Sequence, residues 1–284
     1  MKTIRTIAEL RAALAPARRD GRTIGLVPTM GAFHAGHVSL MQRARETTDL
    51  VVVSLFVNPT QFAPTEDLSA YPRDEARDAE IAAGAGVDVL FAPPVDELYP
   101  DGFQTTVQVG ALAEPLEGLQ RPGHFDGVAT VVTKLLSMVG PDVAFFGQKD
   151  VQQALIVRRV VRDLDIPVRI EVCPTVREPD GLAMSSRNAY LPPADRERAV
   201  ALRRALDVAE TAVAAGERDA SAVVAAARGA MDPYGVEPEY LALVCADTLA
   251  PVDRVNGQVL VALAARVGPA RLIDNTLIQT NGRP

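Results

Sequence analysis

The chain has only three histidines in 284 residues, and two of them, His34 and His37, share the run PTMGAFHAGH, Pro28 to His37. Their spacing lets both imidazoles face the same way if a helix has begun by His34. Gly31 and Gly36 allow the backbone to pass close to a ligand. Imidazoles beside a helix start suit an anion such as polyphosphate, because N–H groups point outward there and imidazolium donates hydrogen bonds. HxxH can also take zinc, although HExxH is absent and no third ligand stands out. Two histidines satisfied within a loop are the remaining alternative. Neither GxGxxG nor GxxxxGK(S/T) occurs at this turn, so a nucleotide bound here would rest on histidines and backbone.

Five further stretches carry candidate chemistry. GQKDVQQ, Gly147 to Gln153, offers Lys149 to a phosphate or a carboxylate, or simply to solvent. Asp150 beside it suits ribose hydroxyls or a helix cap. SSRN supplies two hydroxyls and a cation for phosphates, or is a polar linker. RPGHFDGV places Arg121 and His124 in a glycine-rich loop before an apolar helix, near substrates or on a surface turn. Asp74 and Asp78, after YPR, suit Mg2+ or a solvated acidic helix start. Gln61 and Asn58 in FVNPTQF say little alone, since a loop amide is usually solvated.

The elements that must position these residues alternate over the first 175 or so. Short apolar runs at Thr23–Val27, Leu50–Val57, Val87–Ala92, Val143–Gly147 and Val168–Val172 read as strands. Helices are expected at His37–Thr48, Arg73–Ala83, Val128–Val139 and Val151–Leu164. The alternation predicts an α/β fold, a Rossmann-like doubly wound parallel sheet covered on both faces. Such sheets bind ligands beyond the carboxyl ends of their strands, where PTMGAFHAGH and GQKD both lie.

The texture changes after Asn188. One long amphipathic helix follows Pro192 and Pro193, and a second covers about Ser221 to Met231. Three strand-like runs come next, EYLALVCA, QVLVALAARV and ARLIDNTLI, with tight turns expected at Asn256-Gly257 and Gly268-Pro269. This is a smaller α+β domain with a three-stranded antiparallel sheet. The expected division is 1–175 for the larger domain and 176–284 for the smaller.

With 48% hydrophobic and 23% charged residues, the chain is of the globular class. A net charge of -7 argues against a general nucleic-acid binder. Cys173 and Cys245, without CxxC spacing, fit thiols in a reducing compartment. Arg5, Glu9 and Arg11 interrupt any signal-peptide core, and Leu50–Val57 is too short to cross a bilayer as a helix. A cytoplasmic protein without membrane or nucleic-acid partners is expected.

His34-Ala-Gly-His37 resembles the HxGH signature of the adenylyl-transferring superfamily that includes class I aminoacyl-tRNA synthetases. The longer blocks PTMGAFHAGH, FVNPTQF, YPR, RPGHFDGVATVVTKL, FFGQKDVQQ and MSSRN resemble, in order, the pantothenate synthetase (pantoate–β-alanine ligase) family. The resemblance implies condensation of pantoate with β-alanine through a pantoyl-adenylate, with ATP as co-substrate, Mg2+, and a homodimer. It implies an ATP site of Met30, Gly31, Ala32, Phe33, His34, Ala35, Gly36 and His37, with Gly147, Gln148, Lys149, Asp150, Val176, Met184, Ser185, Ser186 and Arg187. His37 would be a proton donor, with His34 and Lys149 sharing the catalytic work. Gln61 would touch pantoate and β-alanine, Gln153 pantoate, and the smaller domain would act as a lid. MSSR stands where the synthetases carry KMSKS, with Ala183 and Arg187 in place of its lysines. Magnesium ligands are not identified.

Overall fold

The computed structural model describes residues 1–64, 66 and 68–280. The chain forms two compact units, Met1–Gln148 with Gln152–Pro174, and Lys149–Val151 with Thr175–Pro284. Each has its own apolar core.

The strands of the first unit are β1 (Lys2–Ile4), β2 (Ile24–Thr29), β3 (Leu50–Leu55), β4 (Val89–Phe91), β5 (Val143–Gly147) and β6 (Arg169–Cys173). They form one parallel sheet in the order β1-β4-β3-β2-β5-β6. Its helices are α1 (Ile7–Arg19), α2 (Ala35–Thr47), α3 (Glu75–Gly84), α4 (Val95–Leu98), α5 (Glu117–Gln120), α6 (His124–Val139) and, from Gln152 onward, α7 (Val151–Asp163). Side chains alternate across the sheet as a strand's period of two requires. Leu26, Val52, Phe91 and Phe146 enter a layer with α1, α6 and α7. Val27, Val53, Leu90 and Phe145 enter another with α2 and α3. Both faces are therefore covered, and the central strands β2 to β5 are apolar apart from the buried Thr29 and Ser54.

Strand order reverses at β2, with β3 and β4 to one side and β5 and β6 to the other. The crevice expected at such a reversal lies beyond the carboxyl ends of β2 and β5. PTMGAFHAGH leaves the first of these strands and GQKD the second.

The second unit contains α8 (Pro193–Arg198), α9 (Ala201–Ala214), α10 (Ala220–Gly229), β7 (Pro238–Cys245), β8 (Gln258–Val267) and β9 (Ala270–Gln279). The strands form an antiparallel sheet in chain order. Leu202, Leu206, Val213 and Val223 of its helices pack with Val261, Leu263 and Leu272 of its strands.

The fold class is as the sequence predicts, with local differences. β1 and α1 lie where the sequence suggested no element. α6 begins at His124 instead of Val128, so His124 sits in a helical first turn, not a loop. The long helix after Pro193 is interrupted at Ala199–Val200. Gly268-Pro269 is a tight turn, with Val267 paired to Ala270 and Gly268 at φ +54°. Asn256-Gly257 is not; it ends a twelve-residue connection, 246–257, between β7 and β8.

Candidate active site

The histidine turn is built from the sheet outward. β2 ends at Thr29, and the chain then takes positive φ at Gly31 (+92°) and at Ala32 (+52°). A side chain at Gly31 would crowd both Leu55 Cδ1, 2.6 Å away, and Asp78 Oδ2, 2.9 Å away. Phe33 is 1% exposed and plugs the loop into the apolar layer beneath α2. Truncating such a buried aromatic ring costs about 3–5 kcal/mol. Phe33 can therefore serve a nucleotide only through its backbone.

Asp78, on α3, holds this bend. It is 1% exposed, and its two oxygens accept hydrogen bonds from Ala32 N at 2.8 Å and Phe33 N at 2.7 Å. The solvated acidic start expected for Asp78 is thus a buried clamp, because its partners arrive from a loop 45 residues away. Asp74 caps α3 by accepting from Arg77 N at 3.1 Å.

The two histidines cap α2 reciprocally. His34 Nδ1 accepts from Gly36 N at 3.1 Å, and His37 Nδ1 accepts from His34 N at 3.4 Å. The ring centroids lie 4.2 Å apart. With Nδ1 accepting, each neutral imidazole carries its proton on Nε2. The sequence suggested backbone N–H groups open to an anion. Instead, those of Ala32 and Phe33 are taken by Asp78 of α3, and those of His34 and Gly36 by the two imidazoles within the turn. The chemistry this turn can present falls to the imidazoles.

Gln61 lies in a 3-10 turn, Pro59–Gln61, and is 8% exposed. Its Nε2 points to Met30 Sδ at 3.1 Å, which brings it to the histidine turn. Its Oε1 accepts from Asn58 Nδ2 at 3.0 Å. Asn58, 1% exposed, is part of a polar network with Thr60, Tyr99 and Gly127. His124 grips the same turn from α6, with Nδ1 2.8 Å from the Gln61 carbonyl oxygen and Nε2 3.0 Å from Arg121. Burial, then the Arg121 cation, lowers the His124 pKa to about 4, so at neutral pH its uncharged ring donates to Gln61 and accepts from Arg121. Arg121 also forks onto Glu66, at 2.6 and 2.8 Å. Burial works to raise the Glu66 carboxyl, but Arg121 outweighs it and holds the group below its usual range. Arg121 and His124 are therefore supports of the Gln61 turn in this arrangement.

On α7, Gln152 rather than Gln153 is the bound amide. Gln152 accepts from Glu117 N at 3.1 Å and donates to the carbonyls of Leu112 and Pro115 at 2.9 and 2.8 Å. No hydrogen bond of the half-buried Gln153 amide is seen among the described residues. Gly147 ends β5, paired with Cys173, and Gln148 begins the 3-10 turn after it.

The second unit holds the other candidates. Lys149 Nζ lies 3.9 Å from Asp150 Oδ1, and the Lys149 carbonyl accepts from Asn275 Nδ2 at 2.8 Å. Val176 and Met184 belong to one hairpin, in which Met184 N donates to Val176 O at 3.0 Å and Arg177 bridges to Ala183. Ser185 Oγ accepts from Arg187 N at 3.3 Å and caps the 3-10 turn Ser186–Tyr190. Asn188 ties this turn to Glu178 at 2.9 Å and to the Ala183 carbonyl at 3.1 Å. MSSRN is thus a fastened turn and not a loose linker. Sequence alone pointed neither to the Asp78 clamp nor to Tyr99; their partners lie more than 40 residues away.

Comparison with known proteins converges on one family. The family model described as "Pantoate-beta-alanine ligase" matches residues 2–277. A pantothenate synthetase of Moorella thermoacetica is 53% identical over 282 residues, covering 99% of this chain and 100% of the relative. The crystal structure of pantothenate synthetase from Thermus thermophilus superposes with a TM-score of 0.93 at 48% identity, covering 97% of this chain and 99% of the other. A pantoate-beta-alanine ligase from Francisella tularensis, complexed with "Beta-gamma ATP" and β-alanine, gives 0.82 at 36% identity, covering 98% and 97%.

Proposed function

This chain belongs to the pantoate–β-alanine ligase family, and from that premise we propose how its residues divide the family's reaction. The reaction condenses (R)-pantoate with β-alanine, using ATP, and releases AMP and pyrophosphate through a pantoyl-adenylate. A pantoate carboxylate oxygen attacks the α-phosphorus and pyrophosphate leaves. The neutral amine of β-alanine then attacks the acyl carbonyl; the C–O bond to AMP breaks, and the amine loses a proton. No side chain becomes covalently attached, so the protein's work is positioning and charge stabilisation.

In this assignment the Nε2–H groups of His34 and His37 donate hydrogen bonds to the phosphates, and His37 in its imidazolium form is the proton donor to the departing pyrophosphate. Met30 to His37, Gly147 to Asp150, Val176 and Met184 to Arg187 contact ATP. Lys149, Ser185, Ser186 and Arg187 add positive or donor groups for the phosphates. Gln61 serves both acids, and Gln153 serves pantoate. The larger domain binds ATP and pantoate, and the smaller excludes water from the adenylate, which hydrolyses readily. The observation that carries this assignment is the histidine pair, held in a fixed bend beyond β2 with the Gln61 amide turned toward it.

Magnesium is assigned to the nucleotide. Among the described residues no group of three or more His, Cys, Asp or Glu side chains could hold a metal ion. Both Asp78 oxygens are already engaged by backbone N–H groups. These residues do not fit a resident site, and the ion would arrive with ATP. The family resemblance further supports a cytoplasmic homodimer acting on small molecules. No helix among the described residues is long and apolar enough to cross a membrane.

ATP–pyrophosphate exchange tests the assignment. It is expected to require pantoate but not β-alanine, and to fall by about 100-fold or more in His37→Ala and Lys149→Ala. Exchange indifferent to pantoate would sink the adenylate route, and near-normal exchange in both variants would remove these residues from the phosphates.

A further inference from the structure

We propose that Tyr99, together with Thr60, is a positioning residue that fixes, through Asn58, which face of the Gln61 amide meets the acid substrate. Amide orientation follows from partners that have only one role. The Gly127 carbonyl can only accept, so the Asn58 atom facing it at 3.2 Å is Nδ2. The Thr60 backbone N–H can only donate, so the Asn58 atom facing it at 3.4 Å is Oδ1. The second Nδ2 hydrogen then points at Gln61, whose facing atom at 3.0 Å must be the acceptor Oε1. Gln61 is left with its NH2 toward Met30, a donor face. Such a face selects an acceptor on the substrate, a carboxylate or hydroxyl oxygen.

Two hydroxyls hold Asn58 in that orientation. Tyr99 Oη donates to Asn58 Oδ1 at 2.8 Å and Thr60 Oγ1 donates to it at 2.9 Å. Tyr99 is itself fixed by ring contacts with Phe56, centroids 6.1 Å apart, and edge-on with Phe103, 5.1 Å apart. Burial pushes the phenol pKa up, so it remains a donor at neutral pH. Tyr99 touches no reacting atom in this scheme and acts only through Asn58 and Gln61.

The proposal rests on the ligase assignment above. Its test is steady-state kinetics of the full chain with Tyr99→Phe, Thr60→Val and the double variant, together with thermal melts. Losing one neutral hydrogen bond should raise the pantoate KM about threefold, and losing both about tenfold. kcat and the ATP KM are expected to stay within about twofold of wild type. An unchanged pantoate KM, a kcat loss without a KM change, or an equal rise in the ATP KM overturns it. If the double variant does not fold, Tyr99→Phe decides alone. Wild-type protein without pantoate-dependent exchange would bring down the ligase assignment instead, which keeps the two failures apart.

Discussion

Gln152 and Gln153 are the same side chain at successive positions of α7, yet among the described residues only the first commits its amide to the chain. Chemistry at this scale depends on what surrounds a group more than on what the group is. His124 shows it most sharply, since burial keeps its ring neutral where an ordinary histidine would titrate. Its pKa is about 4 in the folded protein, against a reference of 6.5. Between those values the unfolded chain binds more protons, so stability must fall as pH drops through that window. The full effect is on the order of 3 kcal/mol. Glu66 is held below its usual range, so its protonation contributes at lower pH. Melting temperatures measured from pH 7 to pH 4 should decline, and His124→Gln should decline less steeply across the window. Parallel curves for the two proteins would place the responsible proton elsewhere.

At the level of elements, the Gln61 turn depends on how closely α6 approaches it. A Cβ at Gly127 would meet the Thr60 carbonyl carbon at 2.6 Å and Gln61 Cα at 2.7 Å, backbone that cannot move aside alone. Gly127→Ala should therefore cost about 1–3 kcal/mol by overpacking. It should also raise the pantoate KM more than the ATP KM; an unchanged melting temperature and unchanged constants would show the turn independent of the helix. That contact joins stretches more than 60 residues apart, and no local pattern announces it. Local pattern does carry the alternation of apolar runs and helices, the switch from parallel to antiparallel texture and the histidine pair at a strand end. β1 escaped notice because three residues carry too little periodicity, and α1 because Pro16 sits inside it. The break at Ala199–Val200 was hidden by uniformly helix-favouring residues on both sides. Asn256-Gly257 misled because a dipeptide that can make a tight turn does not oblige the strands to meet there. The blocks that resemble the ligase family identified Gln61 as a candidate. Only the fold shows that Asn58, His124 and Tyr99 stand behind it.

For the whole molecule, a net charge of -7 accompanies proposed substrates that all carry negative groups. Binding must then rely on a few placed donors and cations rather than on the overall field. If magnesium comes only with ATP, a chelator should abolish pantoate-dependent exchange and leave the melting temperature of the ligand-free protein unchanged. A lower melting temperature in chelator would reveal a resident structural ion. The strand order has a further effect during synthesis. β3 is complete at Leu55, but β5, which covers the other edge of β2, begins only at Val143, roughly ten seconds of translation later. Throughout that interval PTMGAFHAGH hangs from a strand with one neighbour, and the crevice beyond β2 and β5 does not yet exist. The pace of the ribosome through residues 56–142, more than the strength of the turn itself, sets how long that apolar edge stays open to the wrong partner.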